Sequence, residues 1–201
     1  MTGVQYWAPD YLQNVHHMDP HLVTIVFSAT SLSAPISGVI IGGIIITKLG
    51  GYNTKKSQKL LILVGSMAII CAIPVPLLQS YVPVCALLWW LLFFGGFCVP
   101  PLTGIMINSV PAKQKTAANS ISNLLQNLLG YLPAPGLYGF VASMTSTLRI
   151  PMGMLMYSTI FTVLVLTYGI NKKLKNEERN ESHAPSVDTI SKHEQKNQSQ
   201  K

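Results

Sequence analysis

Between Asp19 and Glu177 the chain carries no carboxylate, a run of 157 residues. Soluble domains spread charged residues along their whole length, at roughly 25% of positions, so this run excludes an ordinary water-soluble fold. Five apolar blocks fill it, residues 22–47, 60–78, 81–106, 116–141 and 151–170, each 19 to 26 residues long. About 20 residues of helix, rising 1.5 Å each, cross a hydrocarbon core about 30 Å thick. Backbone polar groups find no water in lipid, so blocks of this kind must be helices. The sequence predicts an all-α membrane protein.

The basic residues orient it. Lys48, Lys55, Lys56 and Lys59 separate the first two blocks, Lys113 and Lys115 the third and fourth, and Lys172, Lys173, Lys175 and Arg179 follow the fifth. Only Arg149 falls on the alternate side, with Asp10, Asp19, His16, His17 and His21. Lys and Arg collect in cytoplasmic loops, so the loops 48–59 and 110–115 and the C-terminus are expected inside. The net charge of +7 is accordingly a topology signal. It gives no support to nucleic-acid binding, which requires a basic face on a folded soluble domain. From Asn171 onward the chain is Lys, Glu, Asn, Ser and Gln with almost no large apolar residue. Such a tail, 171–201, is expected to be disordered and cytoplasmic. Residues 2–12 read as the outer part of a further helix, and the sequence as a fragment or truncated gene product.

The blocks differ in kind. The second is almost purely aliphatic before Pro74 and Pro76, and the fifth is rich in Leu, Met and Val; both suit a lipid-facing position. The first holds Ala34, Gly38 and Gly42 at four-residue spacing, a row of small residues that lets helix backbones approach closely. The third carries Trp89 and Trp90 deep in the helix, then Pro100 and Pro101, where a regular helix is not expected. In the fourth, at 100° per residue, Thr116, Asn119, Ser120, Asn123, Gln126, Asn127 and Gly130 share one arc, opposite Ala117, Ile121, Leu124, Leu125 and Leu128. Amides cannot face lipid at reasonable cost. They must hydrogen-bond another helix or line a watered cavity, and the candidate substrate-cavity residues are Asn119, Asn123, Gln126 and Asn127.

Several chemistries fall away. No block contains an acid, a His or an internal Lys or Arg, so paired-carboxylate proteolysis has no residues to use. Cys71, Cys85 and Cys98 are dispersed within the blocks and the His residues lie outside them, so neither a disulfide framework nor a zinc site is expected. There is no P-loop and no dinucleotide fingerprint, hence no cofactor is expected.

After the first block the chain reads Gly42-Gly43-Ile44-Ile45-Ile46-Thr47-Lys48-Leu49-Gly50-Gly51. This resembles the cytoplasmic loop signature of the major facilitator superfamily, G-x-x-x-D-R/K-x-G. Gly43, Lys48 and Gly50 match, whereas the Asp of the signature falls on Thr47. Gly3-x-x-x-Trp7-x-Pro9-x-Tyr11-Leu12 looks like the outer end of the seventh helix in the Spinster branch of that superfamily, and residues 113–139 are similar to its eleventh helix. The resemblance implies the C-terminal six-helix half of a major facilitator fold, here five full spans plus a partial first helix within residues 1–170. It further implies a secondary transporter that works by alternating access on a small organic or lipid-like solute. The partners it implies are membrane lipids, that solute and the N-terminal half of the transporter. The alternative is a non-transporting five-span structural membrane protein or a degraded paralogue. Neither reading makes the chain an enzyme.

Overall fold

The computed structural model describes residues 2–52 and 54–183. Every regular element among them is helical: α1 (Thr2–His16), α2 (Pro20–Lys48), α3 (Lys55–Ala72), α4 (Tyr81–Asn108), a 3-10 turn (Ala112–Gln114), α5 (Lys115–Leu125), a π-helical turn (Gln126–Tyr131), α6 (Pro133–Met144) and α7 (Arg149–His183). By their contacts the residues divide into two units, Met1–Val165 and Leu166–Lys201. The second unit contains the latter part of α7. Among the described residues three helices are long and apolar enough to cross a membrane: α2, α4, and α7 over Arg149–Asn176.

Capping sets where α2 starts. Asp19 accepts hydrogen bonds from the backbone N–H of His21 (2.9 Å) and Leu22 (3.3 Å), and Pro20 occupies the first helical turn, where its missing N–H costs nothing. The α2 face bearing Thr30, Ala34, Gly38, Gly42 and Ile46 is buried, and α4 covers it. A methyl group built on Gly38 would strike the carbonyl oxygen of Phe93. One on Gly42 would lie 2.7 Å from the Phe97 carbonyl oxygen, and one on Gly96 2.5 Å from that of Pro35. Each helix thus presses glycine Cα–H groups against carbonyls of the other, a contact that only small residues permit.

That packing bears on the prolines of α4. The sequence argues against a regular helix near Pro100, yet α4 runs unbroken to Asn108 with Pro100 and Pro101 inside it. The Phe97 carbonyl, whose helical donor would be residue 101, instead faces the backbone of α2 at Gly42. A carbonyl covered in this way does not force the helix to end.

α3 ends at Ala72, short of the expected block limit at residue 78, because a turn containing Pro74 and Pro76 follows. The fourth block is not one helix. It breaks at the π turn, where Leu132 N–H reaches back to the Asn127 carbonyl at 3.0 Å. At the other end of the chain, the tail expected to be disordered from Asn171 continues α7 as far as His183. Residues 184–201 lie outside those described.

The core joins α1, the start of α2, the end of α3, the start of α4, α6 and the start of α7. It contains Tyr11, Leu12, Ala72, Val75, Val84, Leu88, Tyr138, Met152 and Met156. The outward faces of α2, α3 and α7 expose Ile25, Leu32, Leu63, Ile70, Phe161 and Leu164, a surface of the kind that lipid, rather than water, covers.

Candidate functional site

The amide stripe stands on the least enclosed part of the molecule. Asn119 is half-buried on α5, Asn123 is exposed one turn later, and Gln126 and Asn127 are exposed within the π turn. α5 and the π turn contain no buried residue, and the leucine side is as open as the amide side: Leu124 is 63% and Leu128 53% exposed. The first half of the fourth block is thus open on both sides. Among the described residues its amides find no partner helix to satisfy them, and hydrogen-bonded rings one residue wider than those of an α-helix turn the residues after Gln126 out of the 100° register. One local bond crosses the π turn, Gln126 Nε2 donating to the Tyr131 hydroxyl at 3.3 Å.

The second half of the block is held firmly. Trp7 of α1 stacks on Tyr138 of α6, ring centroids 4.4 Å apart at 18°, and its Nε1–H donates to the Pro135 carbonyl at 3.2 Å. Gly3 brings α1 close to Ala134 and Leu155. The chain therefore passes from an anchored α6 through the π turn, with Gly130 open on every side, to an uncovered α5. Tyr138 is fully buried, and its hydroxyl has no partner among the described residues.

The loop motif falls at the end of α2. Gly50 and Gly51 both have φ of +91°, a left-handed conformation that favours glycine, and this ends α2 after Lys48. Lys48 is exposed in the last turn, where a cation complements the helix dipole. Gly43 has open space around it, and its carbonyl accepts from Thr47 Oγ1 at 2.8 Å. Thr47, standing where the signature has Asp, thus bonds within its own helix.

Three features escaped the sequence. The turn after α3 presents carbonyls beyond the helix end, and side chains from elsewhere supply the donors: Tyr11 to Val75 (3.4 Å) and Arg149 Nη1 to Pro76 (3.4 Å) and Leu78 (3.3 Å), with a His16 ring nitrogen 2.9 Å from the Gln79 carbonyl. Trp89 Nε1–H donates to Ser33 at 3.0 Å, tying α4 to α2 beside the glycine contacts, while Trp90 is left 47% exposed. The Tyr52 ring rests on Gly104 of α4 and walls a groove with Val99, Pro100, Thr103, Ile107 and Asn108. Only the helix end implied by Pro74 and Pro76, with the free carbonyls any helix end leaves, could have pointed to the first of these. Among the described residues no group of His, Cys, Asp or Glu is placed to hold a metal ion.

The comparison with known families agrees with the membrane helices and the motif loop. No curated protein and no solved structure matches the chain significantly. The family model of the Major Facilitator Superfamily matches residues 1–135, from α1 through the π turn into α6. On that match over two thirds of its length, the chain is a multi-pass membrane protein that belongs to the major facilitator superfamily, a family of transporters.

Proposed function

We propose that the chain forms one bundle of a secondary transporter, the C-terminal one, and moves a small organic or lipid-like solute by alternating access. Asn119, Asn123, Gln126 and Asn127 line its pathway. The observation that carries this reading is the uncovered α5. A helix bearing leucines on one side and amides on the other, with neither side packed, needs lipid on the first and water or solute on the second. Facilitator proteins rock one bundle against another around a site near the bilayer midplane, and an open amide face is what such a closing surface requires. The second bundle, on the same polypeptide or another, completes the site. Anchored α6, the π turn and Gly130 provide a pivot between the fixed and the moving part of this helix.

The chain contributes no charged side chain to its apolar blocks. The part of the solute it meets is therefore recognised through amide and hydroxyl groups, each able to donate and accept. Any carboxylate that couples transport to protons belongs to the other bundle or to the neighbourhood of Asp10. Reconstituted alone in liposomes, the 201-residue chain is expected to show no saturable uptake of candidate lipids and organic solutes. Saturable uptake by the chain alone, lost in Asn123→Leu, would refute the need for a second bundle.

A further inference from the structure

The groove under Tyr52 lies where three chain segments end together: the loop after α2, the end of α4 at Asn108 and the start of α5 at Lys115. Its volume is about 480 Å³, and Val99, Pro100, Gly104, Ile107 and the Tyr52 ring make it apolar, with Thr103 and Asn108 as polar contributions. At the Asn108 end the Lys115 ammonium donates to Asn108 Oδ1 at 3.4 Å, one long bond that leaves its other N–H groups available. Lys113 stands on the 3-10 turn that leads into α5, and the sequence has no acid between residues 20 and 176. An apolar trough along a membrane helix that ends at an ammonium with no acid bonded to it among the described residues matches one kind of molecule.

We propose that this groove binds an anionic phospholipid of the surrounding leaflet. One acyl chain lies along Val99, Pro100 and Ile107 beneath Tyr52, and the phosphate meets Lys115 and Asn108. A zwitterionic lipid would fill the trough equally well but would bring its own cation beside Lys113 and Lys115; an anionic headgroup brings none. The selectivity therefore comes from the lysines and the retention from the trough. The site is separate from the amide stripe and does not rest on the transport reading.

The test is native mass spectrometry of the full chain in detergent micelles, titrated with palmitoyl-oleoyl phosphatidylglycerol or palmitoyl-oleoyl phosphatidylcholine. The wild type is expected to retain the glycerol lipid in preference. Lys115→Ala should weaken that binding roughly five- to tenfold, and Lys59→Ala, on an exposed lysine away from the groove, should leave it unchanged. Val99→Trp keeps every lysine and fills the trough from a position 52% exposed, where a larger side chain is tolerated; it should also release the lipid. Equal retention of both lipids by the wild type would overturn the proposal. So would undiminished binding by Val99→Trp, which would reduce the effect to surface charge.

Discussion

Gly38 and Gly43 stand five positions apart on α2 and answer to opposite demands. Gly38 is pressed against the Phe93 carbonyl, whereas a methyl group built on Gly43 would meet no other part of the fold within 4 Å. Gly38→Ala, or Gly96→Ala on the facing helix, should cost about 2–3 kcal/mol through forced separation of the two helices. Gly43→Ala relieves a flexible residue within a helix and should be neutral or stabilising by up to about 1 kcal/mol. Thermal unfolding of the three variants in one detergent, followed by circular dichroism, checks the contrast; equal effects would mean that α2 and α4 are not in backbone contact. The small-residue row was legible because it repeats every four positions. Its partner Gly96, and the seat of Tyr52 on Gly104, were not, because a contact between helices leaves no period in either sequence.

Among the elements, the turn after α3 explains the one basic residue that departs from the charge asymmetry. The Arg149 guanidinium donates there to the Pro76 and Leu78 carbonyls, which lie past the end of α3 and have no helical donor. Arg149→Met should lower stability by about 1–3 kcal/mol. Amide exchange should rise in residues 73–80 first, as measured by deuterium uptake; an unchanged exchange pattern would show that the bonds carry no weight. α2, α4 and the apolar run of α7 were legible as apolar blocks, since length and the absence of charge suffice to find a candidate membrane helix. Two features were not. α4 passes through Pro100 and Pro101 because another helix covers the freed Phe97 carbonyl, which is tertiary information. The π turn at Gln126 breaks the 100° register that places the amides on one arc.

For the molecule as a whole, the charge asymmetry predicts that the loops at 48–59 and 110–115 and the C-terminus share the cytoplasmic side. Asn180-Glu181-Ser182 and Asn197-Gln198-Ser199 are built-in reporters of that orientation. Neither should acquire a glycan when the protein is expressed through the secretory pathway, and a glycan on either would invert the topology. Membership of the facilitator family was legible in Gly43, Lys48 and Gly50, because Gly50 must adopt a left-handed backbone and Lys48 must end a helix. The surroundings of the amides were not legible, since the sequence of one helix does not say what covers it. Whether water reaches them is the central question. Cysteines introduced singly at Asn123, Asn127, Leu124 and Leu128, after replacement of Cys71, Cys85 and Cys98, can be exposed to a membrane-impermeant thiol reagent in native membranes. Reaction at positions 123 and 127 with protection at 124 and 128 is the expected result. Equal reaction on both faces, or none on either, would contradict a pathway lined by the amides.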